Sequence, residues 1–289
     1  NGHAETVRAL CEAGADVQRL MRGGWAPLSL ASQNGHGDIV RHLCSARADS
    51  GAALEGGETP LLLAAQNGHA EVARCLLEAG ADGEGSTEDG STALILASRC
   101  GHAEVVAHLC DAGVDRERAT REGATALLAA SHGGDFEVAH VLCMAGSDPN
   151  RAPHHGVTPL YKAAQNGHFS IVQFLCEIKA RVDDVTHSQT TPLFAASQKG
   201  HLEVVRFLCQ AGADQTKARR DGATPMVIAS HSGHARVLRV LSEDVEKRRR
   251  LRADSTLGRH LWPSGLAGGA RCLGCARRSA GGEGAMKAC

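Results

Sequence analysis

From residue 59 the chain alternates two kinds of short apolar stripe. Leu61, Ala64 and Ala65 stand at i, i+3 and i+4, the spacing of one helix face. Thr59 in front of them is a good N-cap and Pro60 a good first helical residue. Gly68 follows, and a glycine there can take the left-handed conformation that ends a helix. The second stripe, Ala70-Glu71-Val72-Ala73-Arg74-Cys75-Leu76-Leu77, predicts a second helix that Gly80 ends in the same way. Ala81–Gly90 is rich in Gly, Asp, Glu and Ser and reads as a projecting hairpin loop. Helix one carries small Ala and helix two bulky Val and Leu, an asymmetry expected to curve a stack of such pairs. One pair cannot bury its apolar face alone, so stability has to come from neighbours.

The pair recurs along the chain. A Gly-x dyad stands at Gly2, Gly35, Gly68, Gly101, Gly134, Gly167, Gly200 and Gly233, each step being 33 residues, with His as the second member except at Asp135. Nine residues before the last seven of these glycines lies Thr-Pro-Leu or a relative, from Ala26-Pro27-Leu28 and Thr59-Pro60-Leu61 to Thr224-Pro225-Met226. Ala-Gly-Ala-Asp or a variant closes most units, as at 13–16, 79–82 and 211–214. The unit Thr191–Asp214 shows all three marks and closely resembles the ankyrin repeat. The resemblance covers about residues 1–244, half a unit and then seven whole ones. It implies an all-α fold, an α-solenoid of helix-turn-helix units with projecting hairpin loops. The units run about 1–22, 23–55, 56–88, 89–121, 122–154, 155–187, 188–220 and 221–252, the last with a polar helical extension that caps the stack.

Departures from the family pattern are informative. The residue after Thr-Pro-Leu, usually His in this family, is Ser29, Leu62, Ile95, Leu128, Tyr161, Phe194 and Val227. The hydrogen bond that His would make inside the unit is absent, and apolar contact takes its place. The glycine that ends helix two is Arg47 in the first whole unit and Lys179 in the fifth. A non-Gly residue at positive φ costs about 1 kcal/mol, so these units are expected to be looser or to end differently. Ser188-Gln189 replaces the usual Asp-Gly turn.

Phase also accounts for six of the 11 Cys and seven of the 16 His, counts that by themselves suggest metal or disulfides. Cys11, Cys44, Cys110, Cys143, Cys176 and Cys209 share one repeat position, which Leu77 fills in the second unit. Equivalent positions on neighbouring helices lie about 8–10 Å apart. A disulfide needs Cα atoms within ~7 Å and zinc needs four donors at about 2 Å, so this row reads as core. The His row of the dyads reads as local hydrogen bonding to the backbone. Cys100 is out of core phase and reads as a surface thiol. No phosphate loop, nucleophile elbow or His-Glu-x-x-His helix is present. No catalytic residue, cofactor, metal or small-molecule substrate is therefore expected.

Charge changes the picture once it is divided. The total is −1, but residues 1–244 carry −8 and the rest +7. The tail 253–289 is Gly/Ala/Arg-rich and reads as disordered. Lys247, Arg248, Arg249, Arg250 and Arg252 resemble a nuclear-targeting or anion-binding run; a helix end carrying cations reads equally well. Cys272 and Cys275 are half of a zinc pattern without a second pair at the usual spacing. Aromatic residues are 3%, too few for a base-stacking platform, and nucleic acid is the weaker reading, confined to the tail. No apolar run spans a membrane, which needs about 18 residues, and no signal peptide opens the chain. An intracellular, cytoplasmic or nuclear monomer is expected. The chain opens inside a unit and without an initiator Met, so a targeting module cut from a larger enzyme or receptor is the alternative.

Family resemblance implies a protein partner on the concave face formed by hairpin tips and helix-one surfaces. By repeat position, the helix-one sites are Gln33, Gln66, Arg99, His132, Gln165, Gln198 and His231, with Lys199 beside them. The hairpin sites are Arg22, Trp25, Glu58, Arg121, His154, His187 and Arg220. Early hairpins are acidic (Glu55, Glu58, Glu88, Asp89), later ones basic (Arg121, His154, His155, His187, Arg219, Arg220). Trp25, at a site expected to be exposed, reads as an interface anchor or as cover for the first unit, which lacks its Thr cap.

Overall fold

The computed structural model describes residues 3–21 and 24–257, with side chains described up to 246. Arg22, the tail from 258 on with Cys272 and Cys275, and the side chains of the basic run 247–252 lie outside the described residues. α1 (Ala4–Glu12) is the second helix of the opening half-unit. Pairs then follow: α2 (Pro27–Gln33) with α3 (Gly37–Ser45), α4 (Pro60–Asn67) with α5 (Ala70–Glu78), and α6 (Ala93–Cys100) with α7 (Ala103–Asp111). They continue as α8 (Ala126–Gly133) with α9 (Phe136–Met144), α10 (Pro159–Asn166) with α11 (Phe169–Glu177), α12 (Pro192–Lys199) with α13 (Leu202–Gln210), and α14 (Pro225–His231) with α15 (Ala235–Leu257). The chain divides at Val245 into a compact unit holding the repeats and a second one from Glu246. Among the described residues the only β features are isolated bridges at the hairpins, Ser86 with Thr92 and Ala119 with Thr125.

The helix starts and stops follow from single residues. Thr59, Thr92, Thr125, Thr158, Thr191 and Thr224 each accept the backbone N–H three residues on, at 3.1–3.4 Å. Ala26, in the same position of the first whole unit, makes no such bond. Gly68, Gly101, Gly134, Gly167 and Gly200 end their helices at φ between 76° and 89°. Arg47 and Lys179 do not end their helices differently: they take φ of 61° and 69°, and their N–H groups bond Cys44 and Cys176 as Gly80 bonds Leu77. Tertiary packing holds the left-handed geometry despite the side chain.

Helix-two leucines Leu43, Leu76, Leu109, Leu142, Leu175, Leu208 and Leu241 form a buried spine facing Leu28, Leu61, Leu94, Leu127, Leu160 and Leu193 of helix one. Neighbouring first helices pack more extensively than neighbouring second helices, because Ala at the first-helix contacts permits close approach. The Cys row sits at the edge of this core: Cys11, Cys44, Cys110, Cys143 and Cys176 are half-buried and only Cys209 is buried. Burial pushes the Cys143 and Cys176 thiols up to about 11, so they stay protonated and poorly nucleophilic at neutral pH.

One row is suboptimal. Ser32, Ser98, Ser131 and Ser197 are fully buried with hydroxyl oxygens lacking any hydrogen-bond partner. Ala65 and Ala164 fill the same position in other units and are also fully buried. An unpaired buried hydroxyl is unfavourable. Ser98→Ala, Ser131→Ala and Ser197→Ala are therefore each expected to stabilise, by up to about 1 kcal/mol. Urea denaturation of the triple variant checks this; a lowered midpoint would refute it.

Candidate protein-binding surface

Two ladders hold the units in register and place the hairpins and helix-one ends side by side. At the hairpin base, the N–H of Asp115, Asp148, Arg181 and Asp214 bonds Glu84, Glu117, Asn150 and Asp183 of the preceding unit, at 2.6–2.9 Å. In the inter-helix turn, Nε2 of His69, His102, His168, His201 and His234 donates to the carbonyl of Gln33, Gln66, His132, Gln165 and Gln198, at 3.0–3.2 Å. The His row thus bonds backbone, as expected, but the backbone of the preceding unit rather than its own turn. Each acceptor carbonyl belongs to one of the outward helix-one residues, so the bond that ties two units together also fixes that side chain's base.

The junction between the third and fourth units is the exception. Asp135 replaces His there and the Arg99 carbonyl receives no such bond; the carboxylate lies against Gly101 instead. Gly101 leaves the same space that Gly134 leaves for His168. Asp135→His is expected to add about 1 kcal/mol, raising the thermal midpoint by roughly 2–4 °C. An unchanged or lower midpoint would show that the ring does not reach the Arg99 carbonyl.

Gln33, Gln66, Arg99, His132, Lys199 and His231 are exposed along helix one, and Gln165 and Gln198 half-buried. Arg121, His154, His187 and Arg220 are exposed on the hairpins, and Glu58 and Trp25 half-buried. Two open depressions lie between hairpins and first helices. One, about 450 Å³, lies between the third and fourth units and gathers Glu88, Asp89, Arg99, Arg121 and Glu122 over an Ile95–Ala129 floor. The other, about 440 Å³, spans the fifth and sixth units and gathers His155, Tyr161, Lys162, Gln165, His187, Phe194, Gln198 and Arg219. Of the residues expected at the surface, Arg99 and Arg121 line the first, and Gln165, His187 and Gln198 the second. Trp25, Gln33, Glu58, Gln66, His132, His154, Lys199, Arg220 and His231 line neither.

The electrostatics of the two differ. In the first, cations and acids are mixed, and hydrogen bonds from the Thr87 and Ser91 hydroxyls hold the Asp89 carboxyl down to about 2. In the second, no carboxylate among the described residues lines the wall. Arg219 lies over the Phe194 ring at 5.3 Å and pairs with Asp221, whose carboxyl it holds down to about 2. Lys162 donates to Gln165 Oε1 at 3.1 Å and pairs with no carboxylate among the described residues. Desolvation, then the charges of Lys162 and His168, push the His132 imidazole below its usual range. The rings of His154, His155 and His187 run in sequence along the hairpins, 6.4 and 5.6 Å apart. Tyr161, Lys162 and Phe194 were not legible as site residues from the exposed rows alone, whereas Arg219 stood out as one of the later basic hairpin residues. A signal for Lys162 exists: its position is Leu30, Leu63, Leu96, Ala129, Ala195 and Ile228 in the other units.

The family model for ankyrin repeats (three copies) matches residues 1–53, 46–120, 113–186 and 178–250. The chain belongs to the ankyrin-repeat family. Its fold resembles the crystal structure of the human ASB11 ankyrin repeat domain, with a TM-score of 0.68 and 26% identity over 75% of this chain and 98% of that one. It equally resembles the ankyrin repeat domain of Bcl-3, a member of the IkappaB family, with a TM-score of 0.68 and 29% identity over 76% of this chain and 100% of that one. No curated protein matches. Ankyrin-repeat domains are in general protein–protein interaction modules, and their fold is typically non-catalytic. No described helix is long and apolar enough to cross a membrane.

Proposed function

We propose that this ankyrin chain is a non-catalytic scaffold or adaptor that binds a protein partner along its hairpin and helix-one side. The observation that carries this is the contrast between rows. Core positions repeat nearly the same residue in every unit, whereas the outward helix-one position runs Gln33, Gln66, Arg99, His132, Gln165, Gln198, His231. A stack built from uniform interiors with a varied outer row is suited to reading one extended partner. Binding there is tested by affinity capture with quantitative mass spectrometry, using the intact chain, an Arg99→Ala/His132→Ala/Gln198→Ala variant, and an Arg74→Ala/Glu203→Ala control on the second helices. Proteins lost with the first variant and kept with the control support the reading; an identical set from all three would overturn it. Trp25→Ala, measured for both affinity and stability, separates anchor from cover. Lower stability with unchanged affinity rules out the anchor.

A further inference from the structure

We infer that the depression between the fifth and sixth units is a subsite for an acidic linear segment of the protein partner, with the Lys162 ammonium as its anchoring cation. The inference rests on the reading of this side as the partner-binding surface and adds what that surface recognises.

Charge is distributed unevenly over hairpins and first helices. Across 151–168, 184–201 and 217–234, six Lys or Arg stand against two acids, Asp184 and Asp221; across 52–69, 85–102 and 118–135, six Asp or Glu stand against three Arg. Both acids of the later group are already paired, Asp184 with Arg181 and Asp221 with Arg219. Lys162 is half-buried, occupies a row that is otherwise apolar, and is bonded only to a neutral amide. A partly desolvated ammonium without a carboxylate gains more from an incoming anion than a solvated surface lysine does.

The wall around Lys162 suits a peptide carboxylate. Tyr161 and Phe194 supply ring surface for the aliphatic part of an Asp or Glu side chain or its neighbours. Gln165 and Gln198 carry amide donors to orient the oxygens, and His155 and His187 close the hairpin side. The Tyr161 hydroxyl is fixed by the Thr190 hydroxyl at 3.3 Å, so the ring is held in place before anything binds. In the other depression Glu88, Asp89 and Glu122 would repel such a segment. Protein is favoured over nucleic acid because the uncompensated charge is local and shallow rather than a continuous groove following a phosphate backbone.

The test selects binders to the full chain from a displayed library of random linear peptides. The best sequences are then resynthesised with a fluorescent label and followed by polarisation. Enrichment of Asp and Glu is expected, with about tenfold weaker binding to Lys162→Ala and recovery with Lys162→Arg. Ala occupies the same position at 129 and 195, so Lys162→Ala keeps the fold, and an unchanged circular dichroism melt verifies this. Replacing the Asp and Glu of the peptide by Asn and Gln should weaken it equally. Neutral peptides of equal affinity, or no loss with Lys162→Ala, overturn the inference. Peptides that depend on Arg99 and Arg121 instead would overturn this subsite while leaving the binding surface in place. Peptides indifferent to every helix-one and hairpin substitution would overturn both. Displacement of the peptide by an oligothymidine, steeply weakened by salt, would assign the site to nucleic acid and overturn the inference as well.

Discussion

Leu175→Ala is expected to cost about 2–5 kcal/mol and to divide the solenoid's unfolding into two steps. Leu175 is fully buried in the helix-two spine, so the truncation removes apolar contact with both neighbouring units and leaves a cavity. Its place in the stack makes the loss more consequential than at Leu76 or Leu109. Helix α11 packs on α9 and α13 less extensively than α5 packs on α3 and α7. Of the four non-Gly residues at positive φ among the described residues, three, namely His155, Lys179 and Gln189, lie within this unit or at the turn just after it. In a one-dimensional array, cooperativity depends on each junction outweighing the intrinsic instability of its units. The weakest junction is the one a cavity will open. In a Trp262→Phe background, Trp25 fluorescence reports the early units while far-ultraviolet circular dichroism reports all of them. The two urea transitions should coincide in the parent and separate in Leu175→Ala. Coincident transitions in the variant would place the weak junction elsewhere. Lys179→Gly, which removes only an exposed side chain at φ 69°, should restore about 1 kcal/mol.

The same unit that gathers strain also lines the depression around Lys162, and the two observations differ in how far the chain itself announces them. Arg47 and Lys179 stand out in the sequence because a glycine is missing at a fixed phase, and both are strained as that implies. What phase could not show is that the backbone would keep its course. That outcome depends on Ala48 and Ala180 completing the turn's hydrogen bonds to Leu43 and Leu175. The Thr caps, terminating glycines and leucine spine were legible because each is a property of one unit. The partners of the His row were not, because Gln33 and His69 are 36 residues apart, a distance that only stacking closes. The depression was illegible for a related reason: its lining runs from His155 to Arg219, and no single repeat contains it. Lys162 is the legible exception, a charge in a row of Leu, Ala and Ile, but that apolar row lies outside the rows expected to be exposed. Half-buried Trp25 shows the converse: its row was expected to be exposed, yet the position is half-buried or buried in every unit, at Glu58, Ser91, Ala124, Val157, Thr190 and Ala223 as well.

Gly134→Ala is expected to cost about 2–3 kcal/mol, against about 1 kcal/mol for Gly113→Ala. Both glycines end a helix at positive φ, 89° and 78°, so both substitutions carry the left-handed strain of an L side chain. They differ in what a Cβ would meet. At Gly113 nothing lies within 4 Å, whereas at Gly134 the Cβ would fall 2.6 Å from Nδ1 and Cε1 of His168. The ring must then move, and with it goes its 3.0 Å bond to the His132 carbonyl. The excess cost belongs to the junction and not to the turn. A double-mutant cycle isolates it. With His168→Ala already in place, Gly134→Ala should cost no more than Gly113→Ala, because the obstructing ring and the bond it made are both gone. Equal costs for the two glycines in the parent would mean that the His ladder contributes nothing to holding the units together. A large excess that persisted without His168 would place the obstruction in the backbone. The expected pattern, an excess that vanishes with the ring, would make each Gly-His dyad a paired device. The glycine of one unit clears the space that the histidine of the next unit needs in order to reach back across the junction.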